Sequence, residues 1–241
     1  MKIEKYQANG NDFLIVEKIL SKKKIKNLCS RHFGIGGDGL ILYNKEDNYV
    51  EFFNADGSKA TLCGNGIRCL GLYLKKHYLA NEFEVYLKKN IARIKVLKND
   101  EIKIYLKTKN EDVYKIKKSH DNQFYLIDIG NNHAISIVDN LTNVKSKKWD
   151  NIIDGKAYNL NFVKIVDVNK IKVLTYEIGV GFTLSCGSGS LSSAIVLNRL
   201  NLIPKKVEVI NEGGNVFINL DEYSLLGKAK FVFECEYDET I

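Results

Sequence analysis

The stretch TLCGNGIRC at residues 61–69 is matched by LSCGSGSLS at residues 184–192, so one cysteine-and-glycine pattern occurs twice in the chain. Cys63 and Cys186 stand 123 positions apart, about half of the 241 residues. A repeat of that length predicts two copies of one structural unit. More of the repeat surrounds them. Nine residues before each cysteine a polar residue follows an apolar, aromatic-ended run: YVEFFNADGS leads through Asn54 to Cys63, and IKVLTYEIGVG leads through Glu177 to Cys186. Further upstream, GNDFLIV at 10–16 is echoed by GNNHAISIV at 130–138; these begin 53 and 56 residues before their cysteines.

Short runs rich in β-branched and aromatic residues, bounded by Gly, Asn and Asp, read as strands: FLIVE, GLILY, YVEFF, FEVYLKK, ARIKVLK, EIKIYLK, QFYLIDIG, HAISIV, FVKIV, IKVLTYE, KVEVI, VFINL and KAKFVFE. Helices are fewer. The clearest two begin just after the glycines, at GIRCLGLYLKKHYL and GSLSSAIVLNRL, with a third near KKKIKNLCSRHF. The pattern predicts an α+β fold of two pseudo-symmetric domains, each a strand-rich layer wrapped around a central helix. The boundary is placed in the polar stretch DVYKIKKSHDNQ, giving residues 1–117 with Cys63 and residues 118–241 with Cys186.

A chain of this length with 45% hydrophobic residues can bury a real core. The first residues turn polar at once and no run of about 18 apolar residues follows, so neither a signal peptide nor a membrane span is expected, and a cytoplasmic location follows. Five cysteines, Cys29, Cys63, Cys69, Cys186 and Cys235, make an odd set without a CxxC pair or a histidine cluster. That argues for free thiols and against a disulfide framework or a metal site. The net charge of +7 rests on 36 basic residues, of which only Arg31, Arg68, Arg93 and Arg199 are arginines. The lysines are spread through many short runs, which reads as solvated faces rather than a nucleic-acid stripe. Arg68 and His32 read as helix-surface or capping residues, and Cys29, Cys69 and Cys235 as core packing.

A cysteine before glycines that open a helix sits among unpaired backbone N–H groups at the positive end of the helix dipole, where anions are stabilised and a thiol is activated. The next amides, of Gly64 and Asn65 or of Gly187 and Ser188, can hold a carboxylate. Two such elements facing each other would place one sulfur on either side of a small anion. One thiolate could then remove a proton from a carbon while the opposite thiol delivers one to its other face, inverting the centre. A Cys–His–Asn hydrolase built on Cys63 or Cys186 with His133 and Asn131 leaves the second element unexplained, and a non-enzymatic carboxylate binder needs the loops but not both thiols.

GNDF at 10–13, RHFGIGGDG at 31–39, FNADGS at 53–58, CGNGIRC at 63–69, GNNH at 130–133, YE at 176–177 and CGSGS at 186–190 together resemble diaminopimelate epimerase. The resemblance runs in order over most of the chain. It implies a pyridoxal-phosphate-independent racemase or epimerase with no metal or organic cofactor, an amino-acid substrate bound between two pseudo-symmetric domains, and a homodimer. Carried over by position, Cys63 and Cys186 are the acid–base pair; Gly64, Asn65, Gly187 and Ser188 cradle the α-carboxylate; and Asn11, Asn54, Asn131 and Asn159 line the substrate. Glu177 and His133 match positions that support catalysis.

The chain also departs from that pattern. An arginine that follows the glutamate in the family, and grips the far carboxylate of diaminopimelate, is Ile178 here. Phe182 replaces a glutamate, Gly39 a glutamine and Asn132 a proline. A far carboxylate against Ile178 and Phe182 would lose water without gaining a guanidinium, so Gly39, Ile178 and Phe182 are expected to mark a changed specificity pocket. An aromatic, neutral or cationic side chain fits it, with histidine first and lysine second. The opposing expectation is that Lys164 or Lys172 takes over the missing arginine's role and diaminopimelate remains the substrate.

Overall fold

A computed structural model describes residues 1–60, 63–88, 90–105, 113–119 and 122–238. The chain divides into two compact units, one formed by Met1–Tyr105 with Gly227–Ile241, the other by Leu106–Leu226.

In the first unit, strand Lys2–Ala8 turns through Asn9 and Gly10 into the antiparallel strand Asn11–Val16. Both turn residues have positive φ, 52° and 80°, which asparagine and glycine tolerate best. Strand Gly39–Asn44 runs parallel to Asn11–Val16 and antiparallel to Tyr49–Asn54. A parallel step from Tyr49–Asn54 to Glu82–Leu87 follows, then the antiparallel strands Asn90–Val96 and Glu101–Tyr105. The second unit repeats the scheme: Asn122–Asp128 pairs antiparallel with Asn132–Ile137, which runs parallel to Asn159–Asp167. That strand pairs antiparallel with Lys170–Glu177, which is parallel to Lys206–Asn211, and antiparallel Gly214–Asn219 and Ser224–Lys228 follow.

Helices α1 (Lys22–Cys29) and α2 (Gly64–His77) belong to the first unit, α3 (Thr142–Lys145) and α4 (Gly187–Arg199) to the second. A surface helix buries one stripe, whereas a helix enclosed on all sides is buried all round. Residues 65–71 of α2 and 189–197 of α4 are buried without a break, so both are central helices wrapped by their sheets, and the fold is α+β as the sequence predicts. The second unit packs its largest apolar groups together, with Trp149 and Phe162 at 4.4 Å between ring centroids. Among the described residues no helix is long and apolar enough to cross a membrane.

Two expectations are corrected. The domain boundary expected at 117/118 falls inside strand Val113–Ser119, which forms a hairpin with Asn122–Asp128, so the first unit ends at Tyr105 instead. The chain's end also changes side. Strand Lys230–Glu236 pairs antiparallel with Lys2–Ala8 in the first unit, from Lys2↔Glu236 to Gln7↔Lys230, because an outer strand with unpaired N–H and C=O groups needs a neighbour. The third helix lies where expected and ends at Cys29: Ser30 is extended, and Gly34 lies so close to the helix end that a Cβ there would meet the Asn27 carbonyl oxygen at 2.0 Å. Thr61, Leu62, Leu106 and Lys107, with positions 112, 120 and 121 of the expected linker, lie outside the described residues.

Candidate functional site

Cys63 and Cys186 are the N-caps of α2 and α4. Their backbones match, at φ −114°, ψ 112° and φ −124°, ψ 114°, and each sulfur accepts the amide three residues on, from Gly66 at 3.5 Å and from Gly189 at 3.4 Å. Ser, Thr, Asp and Asn are the residues that cap helices best, and glycine inside a helix costs about 1 kcal/mol relative to alanine. Two caps built on cysteine and followed by glycines are therefore not what helix stability alone selects.

In the first unit the amide of Asn11 stands beside the thiol. Its Nδ2 donates to the Asp38 carboxylate at 2.9 Å, which leaves Oδ1 facing Cys63 Sγ at 3.7 Å and Asn65 Nδ2 at 3.4 Å. The far end of this chain of amides is Arg68, whose Nη2 donates to Asn65 Oδ1 and Asn9 Oδ1, both at 2.8 Å. Donor-only guanidinium at one end and acceptor-only carboxylate at the other fix the orientation of both asparagines. Asp38 in turn shares Arg31 with Asp12, at 2.7 and 2.8 Å, and Lys5 adds a further contact to Asp12 at 2.9 Å. Burial alone would raise the Asp12 carboxyl, but the hydrogen bonds from Arg31 and Lys5 hold it well below the usual carboxylate range.

Arg68 corrects the reading of it as a helix-surface or capping residue. Its side chain is completely buried, its hydrogen bonds go to uncharged oxygens of Asn9, Gly64, Asn65 and Lys228, and burial lowers its guanidinium to about 10. The matching position in the second copy, five residues after Cys186, is the buried Leu191. Asn54 is exposed and donates to Ser58 Oγ at 2.9 Å within its turn. Gly39 pairs with Phe13 and Asn54, and a Cβ there would meet the Phe53 carbonyl oxygen at 2.5 Å, so glycine is required by the packing of the strand.

In the second unit the structure gathers most of the expected residues around Cys186. Ser188 Oγ lies 3.4 Å from the sulfur, 3.1 Å from Asn131 Nδ2 and 3.0 Å from His133 Nε2. His133 is fully buried, and burial pushes its imidazole down to about 4. Burial acts in the opposite direction on the carboxyl of Glu177, which it raises, and Glu177 shares hydrogen bonds with Thr183, at 2.6 Å, and with Cys186. Asn159 accepts the Ile178 amide through Oδ1 at 3.0 Å and donates to the Asn132 carbonyl at 3.3 Å. Ile178 is 46% exposed, and Phe182 packs edge-on against Tyr176 with ring centroids 5.0 Å apart. Lys164 and Lys172 face each other across their strands, five positions from Asn159 and from Glu177. At about 3.3 Å per residue that is roughly 16 Å, farther than a lysine side chain reaches.

Sequence reasoning did not single out Asn161 and Thr175. Both are buried, and their side chains bond each other at 3.0 Å beneath the first turn of α4. Cys29 and Cys69 are buried as expected, and burial raises both thiols, Cys29 to about 11; Cys235 packs against the first unit's core. Among the described residues no three His, Cys, Asp or Glu side chains are grouped to hold a metal ion.

Comparison with known proteins matches residues 3–111 and 125–232 to the diaminopimelate epimerase family. A diaminopimelate epimerase of Carboxydothermus hydrogenoformans is 30% identical, across 98% of this chain and 99% of its own length. One of Flavobacterium psychrophilum is 33% identical, across 97% and 99%. Among solved structures, a phenazine biosynthesis protein of the PhzF family from Bacillus anthracis superposes with a TM-score of 0.70 at 15% identity, covering 98% of each chain, a likeness of fold.

Proposed function

This chain belongs to the diaminopimelate epimerase family and is an isomerase, and from that premise we propose that it inverts the α-carbon of an amino acid with Cys63 and Cys186 as the two bases. The observation that carries the proposal is the duplicated cap: two cysteines with one backbone conformation, each opening a central helix with its sulfur at the amide end. A thiolate removes the α-proton from one face and the other thiol protonates the opposite face, with the roles exchanged in the reverse direction. The helix-opening amides beside Gly64 and Gly187 hold the α-carboxylate and stabilise the charge that develops on it as the α-proton leaves. No step in this scheme calls for a metal or an organic cofactor.

For the substrate we propose an amino acid without a far carboxylate, histidine first and lysine second. Ile178 supplies no charge, and the two lysines that were candidates to replace the missing arginine stand at the other end of their hairpin. The second reading is epimerisation of LL-diaminopimelate, favoured by the names of the full-length relatives. Proton NMR in D2O under reducing conditions, following loss of the α-proton signal with L-histidine, L-lysine and LL-diaminopimelate in separate samples, decides between them. Exchange on histidine or lysine alone supports the changed pocket. Exchange on diaminopimelate alone refutes it and leaves the second reading.

A further inference from the structure

The hydrogen-bond partners beneath α4 determine where each proton lies. The carbonyl oxygen of Asn159 can only accept, so the atom of Asn161 that approaches it at 2.9 Å is the amide nitrogen. That nitrogen's second hydrogen points at His133 Nδ1, 3.0 Å away, and the opposite end of the amide, Oδ1, accepts from Thr175 Oγ1 at 3.0 Å. Each polar atom of the Asn161 side chain is satisfied in one orientation, and Asn161 itself is completely buried. The helix above leaves room for this amide only because residue 189 is glycine: a Cβ there, on the first turn of α4, would stand 2.2 Å from Asn161 Oδ1. A ring nitrogen that accepts a hydrogen bond carries no proton, so a neutral His133 holds its proton on Nε2. Nε2–H then donates to Ser188 Oγ, which also accepts from Asn131 Nδ2. With both lone pairs engaged, the serine hydroxyl has one direction left for its own proton, the sulfur of Cys186 at 3.4 Å.

We infer that Asn161 is a positioning residue of the second half-site: by fixing His133 as the Nε2–H tautomer it commits the Ser188 hydroxyl proton to Cys186 Sγ. The sulfur thus receives two donated hydrogens, from the Gly189 amide and the Ser188 hydroxyl, both of which favour its thiolate form. The inference rests on the proposed role of Cys186 as an acid–base group. Among the described residues the titratable groups at the site include Glu177, from strand Lys170–Glu177, which is hydrogen-bonded to Cys186 and opposes the thiolate when ionised, and His133 from strand Asn132–Ile137, kept neutral by its burial. Asp128, at the end of the neighbouring strand, is the charged group that acts on His133.

Long-range proton–nitrogen NMR on 15N-labelled wild-type protein without substrate reads the tautomer directly. The expected pattern is a neutral ring with the proton on Nε2 from pH 6 to 8; a proton on Nδ1, or an imidazolium in that range, overturns the inference. Alkylation of Cys186 by iodoacetamide at neutral pH, followed peptide by peptide by mass spectrometry, reads the consequence. Ser188→Ala removes the donor and should slow Cys186 about tenfold while Cys63 keeps its rate. Asn161→Leu, close in shape, should lose the single tautomer and slow Cys186 likewise, and the double variant should be no slower than Ser188→Ala alone. An unchanged Cys186 rate in Ser188→Ala, or additive losses in the double variant, refutes the relay. Because the tautomer is read without substrate and α-proton exchange is read separately, failure of the relay and failure of the isomerase proposal are distinguishable.

Discussion

Lowering the pH from 7 to 5 should cost the second unit about 2 kcal/mol through His133 alone. The imidazole falls to about 4 in the folded unit, against an ordinary value of 6.5. Above pH 6.5 the ring is neutral both folded and unfolded, and the full stability is present. Below it, the unfolded chain takes up a proton that the folded unit refuses, so stability drains away until the pH reaches the folded value. The whole gap of roughly 2.5 units is worth about 3.4 kcal/mol, and about 2 kcal/mol of it is lost by pH 5. Trp149 is the chain's single tryptophan and packs in the core of this same unit, so its fluorescence in urea follows the unit that contains His133. Other groups titrate too. Glu177, raised by burial, contributes stability present at low pH and lost as pH rises through its raised value, which partly offsets the histidine in acid. The decisive quantity is therefore the difference in slope between wild type and His133→Gln. Wild type should lose about 2 kcal/mol more than the variant between pH 7 and 5; parallel slopes would show that the buried ring accepts a proton in place and would refute the argument.

Cys63→Ser and Cys186→Ser should each lower racemisation of the accepted substrate at least about 100-fold, as expected for removing one of two acid–base groups, with circular dichroism unchanged. A chiral assay in which either variant keeps near-normal turnover would exclude the two-base scheme. Gly189→Ala should destabilise the second unit by about 1–3 kcal/mol, because the new methyl overlaps an Asn161 side chain that is bonded on three sides. An unshifted midpoint in Trp149-detected urea unfolding would mean that Asn161 can yield.

Much of this was legible in the sequence because the repeat is marked by residues with unusual conformational or chemical roles. Gly10 and Gly130 both take positive φ, and Cys63 and Cys186 both cap helices, so the two signatures survive where ordinary side chains have diverged. Strand Lys2–Ala8 was missed because Lys2, Glu4 and Gln7 dilute its apolar pattern, although Glu4 is buried and bonded to Tyr6, Lys76 and His77. Arg68 read as surface because arginine is seldom buried, and its partners Asn9 and Lys228 O are 59 and 160 residues away in sequence. Asn161 did carry a signal. In the strand NLNF it alternates with Asn159, which places both on one face, and its cross-strand partner is Thr175. What the sequence could not provide was the direction of the amide, which is set by a carbonyl and a ring nitrogen meeting it in three dimensions.

The return of strand Lys230–Glu236 to the side of Lys2–Ala8 bears on how the chain is born. A ribosome makes the first residues long before residues 230–236, so the edge of Lys2–Ala8 has no neighbour on that side while the whole second unit is being made. The two ends then meet: the Met1 ammonium donates to the Tyr237 carbonyl at 2.9 Å, and the Tyr237 amide to the Met1 carbonyl at 2.8 Å. Without Lys230–Glu236 that edge of the first unit would stand open to any passing strand; with it, the chain seals the edge with its own later residues.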